Sequence, residues 1–139
     1  MVLVEMVFTG KGGLGQLVDE TAAGVEETLN SHGCVWDLAY PLTLRETLRL
    51  GLQQQIVGAH TCPPTAAGVQ AYRVWLQLPD GGLRAWTTLL ANRFLAGCRE
   101  QDQPEGSPLR VDLQRSLVRT LGSCLERPEI PPVLSGSAT

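Results

Sequence analysis

Three groups of residues have types and spacings that could do chemistry. The first is the run Gly10-Lys11-Gly12-Gly13-Leu14-Gly15, which stands between an apolar stretch and an amphipathic one. A glycine-rich turn leading into a helix can aim backbone amides at an anion, and Lys11, the only lysine in the chain, adds a positive charge. Gly10, Gly12 and Gly15 also satisfy the G-x-G-x-x-G spacing, with acids further on at Glu26 and Glu27, yet the chain is short and no second βαβ unit follows to complete a dinucleotide site. P-loop chemistry fails at two residues. After Gly15 come Gln16 and Leu17, where a lysine and then a magnesium-holding Ser or Thr would be needed. The expectation for this loop is therefore a small anion or phosphate ligand, weighed against a plain flexible turn.

The second group is a pair of His-x-Cys steps, His32-Gly33-Cys34 and His60-Thr61-Cys62. Residues two apart on an extended backbone share a face, so His32, Cys34, His60 and Cys62 could together form a tetrahedral metal site. Structural zinc sites more often use C-x-x-C knuckles, and the four cysteines at 34, 62, 98 and 124 contain none, so buried thiols and ordinary histidines are the competing reading. Cys62 beside His60, with Asp37 or Asp80 as orienter, could serve as nucleophile and base, but no G-x-S-x-G, H-E-x-x-H or framed carboxylate pair accompanies it. Nothing here asks for a cofactor. The third group is Arg73, Trp75 and Gln77, which share one side of a strongly alternating segment and point to contact with another protein surface.

The elements that must position these groups follow from periodicity. Val2, Val4, Met6 and Phe8 alternate with Leu3, Glu5, Val7 and Thr9, which predicts a strand over Val2 to Thr9. Leu17, Val18, Thr21, Ala22, Val25 and Leu29 recur at helical spacing over Gln16 to Asn30, with Gly33 as the C-terminal cap. Cys34, Trp36, Leu38 and Tyr40 predict a second strand, stopped by Pro41. Thr43-Leu44-Arg45-Glu46 has capping-box form and predicts a short helix to Leu50, ended by Gly51. Further strands are expected over Gln54 to Thr61 and Gln70 to Leu78, the second carrying the clearest two-residue period in the chain. After the turn at Pro79-Asp80-Gly81-Gly82, residues 83–87 could pair back as a strand, but Leu83, Trp86, Leu90, Phe94 and Cys98 favour a helix. A last helix follows from Leu109, Leu113, Leu117, Leu121 and Leu125, with Asp112 as its expected cap and Pro128 as its stop.

These elements predict an α+β fold: a four-stranded mixed or antiparallel sheet with helices mainly on one face, similar in outline to ferredoxin-like folds. Residues 1–127 are expected to form a single domain, and 128–139, with three prolines and a Ser-Gly-Ser-Ala-Thr end, a disordered tail. The 139 residues suffice for one core without staples. A formal charge of −3 without basic clusters argues against nucleic acid as a partner. No stretch approaches the roughly eighteen apolar residues of a spanning helix, and Glu5 follows an N-terminus with no basic region, so no membrane partner is expected and a cytoplasmic location is. If helices cover one sheet face only, Arg73, Trp75 and Gln77 look outward, and a Trp there favours self-association. The leading expectation is thus a non-catalytic homo-oligomeric module working through protein contacts. A small anion-binding protein or small enzyme using Gly10 to Gly15 is the alternative.

Overall fold

Alternate residues of a strand face opposite ways, so a strand whose every second residue is apolar is driven to bury one side. In a computed structural model, which describes residues 1–9, 13–62, 71–100 and 103–126, β1 (Val2–Thr9) and β3 (Ala71–Leu78) do so. Val4, Met6, Val74, Leu76 and Leu78 are buried, while Leu3, Glu5, Val7, Arg73 and Trp75 are half-buried and Gln77 is exposed.

Helix α1 (Gly13–Ser31) buries Leu17, Val18, Val25 and Leu29. It ends as Gly33 predicts: with φ +75°, Gly33 donates its N–H to the Asn30 carbonyl at 3.0 Å and Cys34 donates to Leu29 at 2.8 Å. That is a Schellman closure, which needs a residue free to adopt positive φ. Helix α2 (Leu44–Gln53) opens on the expected capping box, with Glu46 N–H on Thr43 Oγ1 at 3.0 Å and Thr43 N–H on Glu46 Oε1 at 2.9 Å. It does not stop at Gly51. Gly51 lies inside the helix because α3 (Gly82–Gly97) crosses there: a Cβ on Gly51 would sit 2.4 Å from Leu90 Cδ2, and Trp86 Nε1 donates to its carbonyl at 3.3 Å.

Strand β2 (Ile56–Cys62) follows, then β3. Helix α3 (Gly82–Gly97) settles residues 83–87 as helix. Helix α4 (Pro108–Gly122) is capped by Ser107, whose hydroxyl accepts from Arg110 N–H, with Pro108 at the first helical position. The expected cap, Asp112, lies a turn inside. A Ser-Pro start satisfies an end donor and sets φ before Asp112 is reached, so the helix begins earlier than Leu113 periodicity suggests.

Strands β1, β2 and β3 form an antiparallel sheet in the order β2-β3-β1, and a two-residue β4 (Leu125–Glu126) lies antiparallel along the free edge of β1. No parallel pair occurs among the described residues. The expected strand over Cys34 to Tyr40 is absent: residues 34–40 form a loop between α1 and α2. Its two-residue apolar period has another cause. Trp36 packs edge-on against Phe94 at 6.4 Å between ring centroids, lies over Gly97, and donates Nε1 to the Leu42 carbonyl at 3.0 Å.

The four helices among the described residues pack on one another, α4 against α1 and α3, α2 against α1 and α3, with α1 on β1 and α3 on β3. The buried leucines of α4 join Trp86, Phe94 and the inner sheet residues in one apolar cluster. Burial of this kind contributes about 25 cal/mol per Å² of apolar surface. From the 34–40 loop Cys34 joins the cluster directly, and Trp36 packs against it where Gly97 has no side chain. A Cβ at Gly97 would fall 2.1 Å from Trp36 Cη2, inside a rigid indole that cannot swing its end away. Gly97→Ala is expected to cost about 1–3 kcal/mol in denaturant unfolding and to shift Trp36 fluorescence. Unchanged stability would contradict the docking of Trp36 on α3.

Candidate functional site

The side of the sheet left without helix-facing residues is built by register. Leu3 stands opposite Gln77, Glu5 opposite Trp75 and Val7 opposite Arg73, while from β2 Gly58 stands opposite Trp75 and His60 opposite Arg73. Side chains directly opposed or diagonal in an antiparallel pair touch, so this face works as one surface. Glu5 reaches diagonally to ion-pair with Arg73; its carboxylate side chain is only 14% exposed, against 43% for the arginine. The Trp75 ring extends over Gly58, where an added Cβ would come within 3.5 Å of Cε3. The register shift between Ile56 and Gly58 puts Val57 and Gly58 together opposite Trp75, and Val57 is largely exposed. The face is therefore apolar at Leu3, Val7, Val57 and Trp75, with one internally paired charge couple across it. Arg73, Trp75 and Gln77, singled out for their period, do come together here. Glu5 and Val57 complete the surface without having been singled out, although the alternation of β1 already put Glu5 on this side; the shift at Val57 leaves no mark in residue types.

The glycine-rich loop is only partly described. Gly13 opens α1 with φ +51° and Gly15 is exposed in its first turn; Gly10, Lys11 and Gly12 lie outside the described residues. A small cleft of about 240 Å³ sits beside the start of α1, and its charged lining residue is Glu20, an acid, with Gln16 hydrogen-bonded to it at 3.0 Å. An anion would meet that carboxylate first among the described side chains.

The two His-x-Cys steps land on different elements. His32 sits just past the end of α1 and its Nε2 contacts Asp112 Oδ2 of α4 at 2.8 Å, while His60 is exposed on β2 opposite Arg73. Cys34 is buried, with its Sγ 3.9 Å from the His32 carbonyl, and the Cys62 side chain lies outside the described part. Among the described residues no group of three or more His, Cys, Asp or Glu is placed to hold a metal ion.

Among the described residues three thiols are free, and each is held protonated. Burial pushes Cys34 up, with the Glu100 carboxylate adding to it. Cys98 is pushed up to about 11, first by burial and then by Cys34 and Glu100 nearby; Cys124 is also raised, mainly by burial. A thiol so placed is a weak nucleophile at neutral pH.

Comparison with protein-family models, with curated proteins and with solved structures finds no significant match to this chain.

The raised Cys98 has a consequence for stability with a definite sign. The folded chain keeps the proton to about 11, whereas the unfolded chain releases it near 9.0. The contribution is therefore complete below pH 9 and is lost as pH rises from 9 to about 11. Thermal midpoints are expected to fall across that window more steeply in the wild type than in Cys98→Ala. Equal slopes in a pH series of melts would contradict the burial of this thiol.

Proposed function

We propose that the chain is a non-catalytic, self-associating α+β module that acts through protein contacts, with the outer sheet face as its interface. One observation carries this reading: Trp75 stands half-exposed at the centre of a face whose neighbours Leu3, Val7 and Val57 are apolar and partly open. Large aromatics at the centre of an apolar patch are where interface energy concentrates. The Glu5–Arg73 pair supports the same reading, because a couple that is already neutralised can be covered by a second copy at less desolvation cost than a lone charge.

The finer fold reading is ferredoxin-like. It is supported by the order of elements, strand, two helices, two strands, two helices, strand, with the strands arranged β4-β1-β3-β2. That is the split arrangement in which two strands joined through helices straddle a third. Sheets of this kind leave one face free, which suits a homo-oligomer. A cytoplasmic setting agrees with Cys34, Cys98 and Cys124 standing as free thiols, two of them buried. No helix among the described residues is long and apolar enough to cross a membrane.

Sizing with light scattering over a concentration series tests the interface. The wild type is expected to exceed the monomer mass, and Trp75→Arg to return it toward monomer with an unchanged circular dichroism spectrum. A strict monomer at millimolar concentration, indifferent to Trp75→Arg, would overturn the reading.

A further inference from the structure

Two surface features are unexplained by the sheet face, and they complement each other. The first is an apolar knob. In the loop between α1 and α2, Val35 is 77% exposed and Leu38 97% exposed, the most open large apolar side chain among the described residues. This loop is fastened at several points. Asp37 N–H donates to the Gly97 carbonyl at 2.8 Å, the Asp37 carboxylate accepts from Ala39 N–H at 2.9 Å and from Arg99 Nε at 2.5 Å, and Trp36 is locked on Gly97. Those two bonds hold the Asp37 carboxyl below its ordinary range, the Ala39 amide contributing most. A fastened loop that holds two aliphatic side chains in water presents them in a fixed arrangement, so docking them costs little conformational entropy. Glu26 lines the cleft next to this knob, and neither it nor Glu27 has an ion-pair partner among the described residues.

The second feature is a groove of about 690 Å³ between the start of α3 and the outer side of α4. Its floor is apolar, with Leu83, Val111 and Val118, and both valines are exposed. Its rim carries Arg84, Arg115 and Arg119 against the single acid Glu105. Arg115 lies 3.8 Å from Asp112, whereas Arg84 and Arg119 have no ion-pair partner among the described residues. The floor is kept open by Gln114, whose amide spans to the Arg84 carbonyl at 3.0 Å and to Thr88 Oγ1 at 2.9 Å and so bridges the two helices.

We infer that the α3–α4 groove is the docking site for the Val35–Leu38 knob of a second copy of this chain, with Glu26 and Glu27 of the arriving copy meeting Arg84 and Arg119. This rests on the reading of the chain as a self-associating module and adds a second contact, distinct from the sheet face. The complementarity selects the occupant: the unpaired Glu26 lines the cleft beside the knob, where the one base, Arg45, is already paired with Asp19; unpaired arginines flank the groove, and both centres are aliphatic. Such a contact joins unlike surfaces, so every copy offers one free knob and one free groove. It propagates head to tail and ends in a ring or an open filament. Its ionic part is solvent-exposed and weakens as salt rises.

The test uses the full chain carrying Trp75→Arg, which removes the sheet-face contact, in sedimentation velocity over a concentration and salt series. Association is expected to persist in this background, to weaken with added salt, and to fall roughly tenfold in either Leu38→Asp or the double reversal Arg84→Glu/Arg119→Glu. The reciprocal reversal Glu26→Arg/Glu27→Arg is expected to weaken it alike. An equimolar mixture of the two reversed proteins regains association, because each groove then meets a knob of opposite sign. Circular dichroism on every variant checks that it is folded. Three results would overturn the inference: loss of all association on Trp75→Arg alone, which leaves the sheet-face reading standing; no recovery in the mixture of folded reversed proteins; and binding of an acidic amphipathic peptide in the groove without any head-to-tail association. A wild type that stays monomeric removes both contacts together.

Discussion

A strand pair that buries one side must present the other, and the helices of this chain meet one side. Val4, Met6, Val74, Leu76 and Leu78 are buried by that rule, and Leu3, Glu5, Val7, Arg73 and Trp75 are left half-covered by the same rule. A slip of one residue in the β1–β3 register would exchange the two sets, which the burial of five apolar side chains forbids. The outer face is thus not an independent feature added to the fold. It is the obligatory reverse of the core.

The helical layer depends on the same constraint through its glycines. Gly51 lets α2 approach Leu90 of α3, and Gly97 lets the 34–40 loop seat Trp36 against α3. Each is a place where a side chain would hold two elements apart, and cores packed to ordinary density have no slack to absorb that. The loop fixed in this way carries Val35 and Leu38 outward, so one close contact at Gly97 both completes the core and sets an apolar surface.

Much of this was legible in residue types where the determinants are local. The alternation of β1 and β3, the Thr43–Glu46 capping box, the Gly33 closure and the leucine stripe of α4 all act within a few residues, and each appears at or near its expected place. The misreadings have long-range causes. Cys34, Trp36, Leu38 and Tyr40 carry a strand's period, yet Trp36 is claimed by Gly97, sixty-one residues away in the chain, and Leu38 points into water. Gly51 has the look of a helix stop and is a crossing point instead, which only the position of Leu90 explains. Asp112 resembles a cap and serves as the partner of His32. The outer face was readable at Arg73, Trp75 and Gln77; the pairing of Glu5 with Arg73 was not, since it depends on which strand lies beside which.

The central claim is that Trp75 is covered by another protein surface, and fluorine NMR of the chain labelled with 5-fluorotryptophan tests it most directly. The three tryptophans sit in distinct settings: Trp86 buried, Trp36 docked on α3 and Trp75 on the outer face. Covering by a second copy predicts a Trp75 resonance that moves with protein concentration and loses its H2O/D2O solvent shift as concentration rises, while Trp86 stays fixed. A Trp75 resonance that keeps its full solvent shift at every concentration would contradict it.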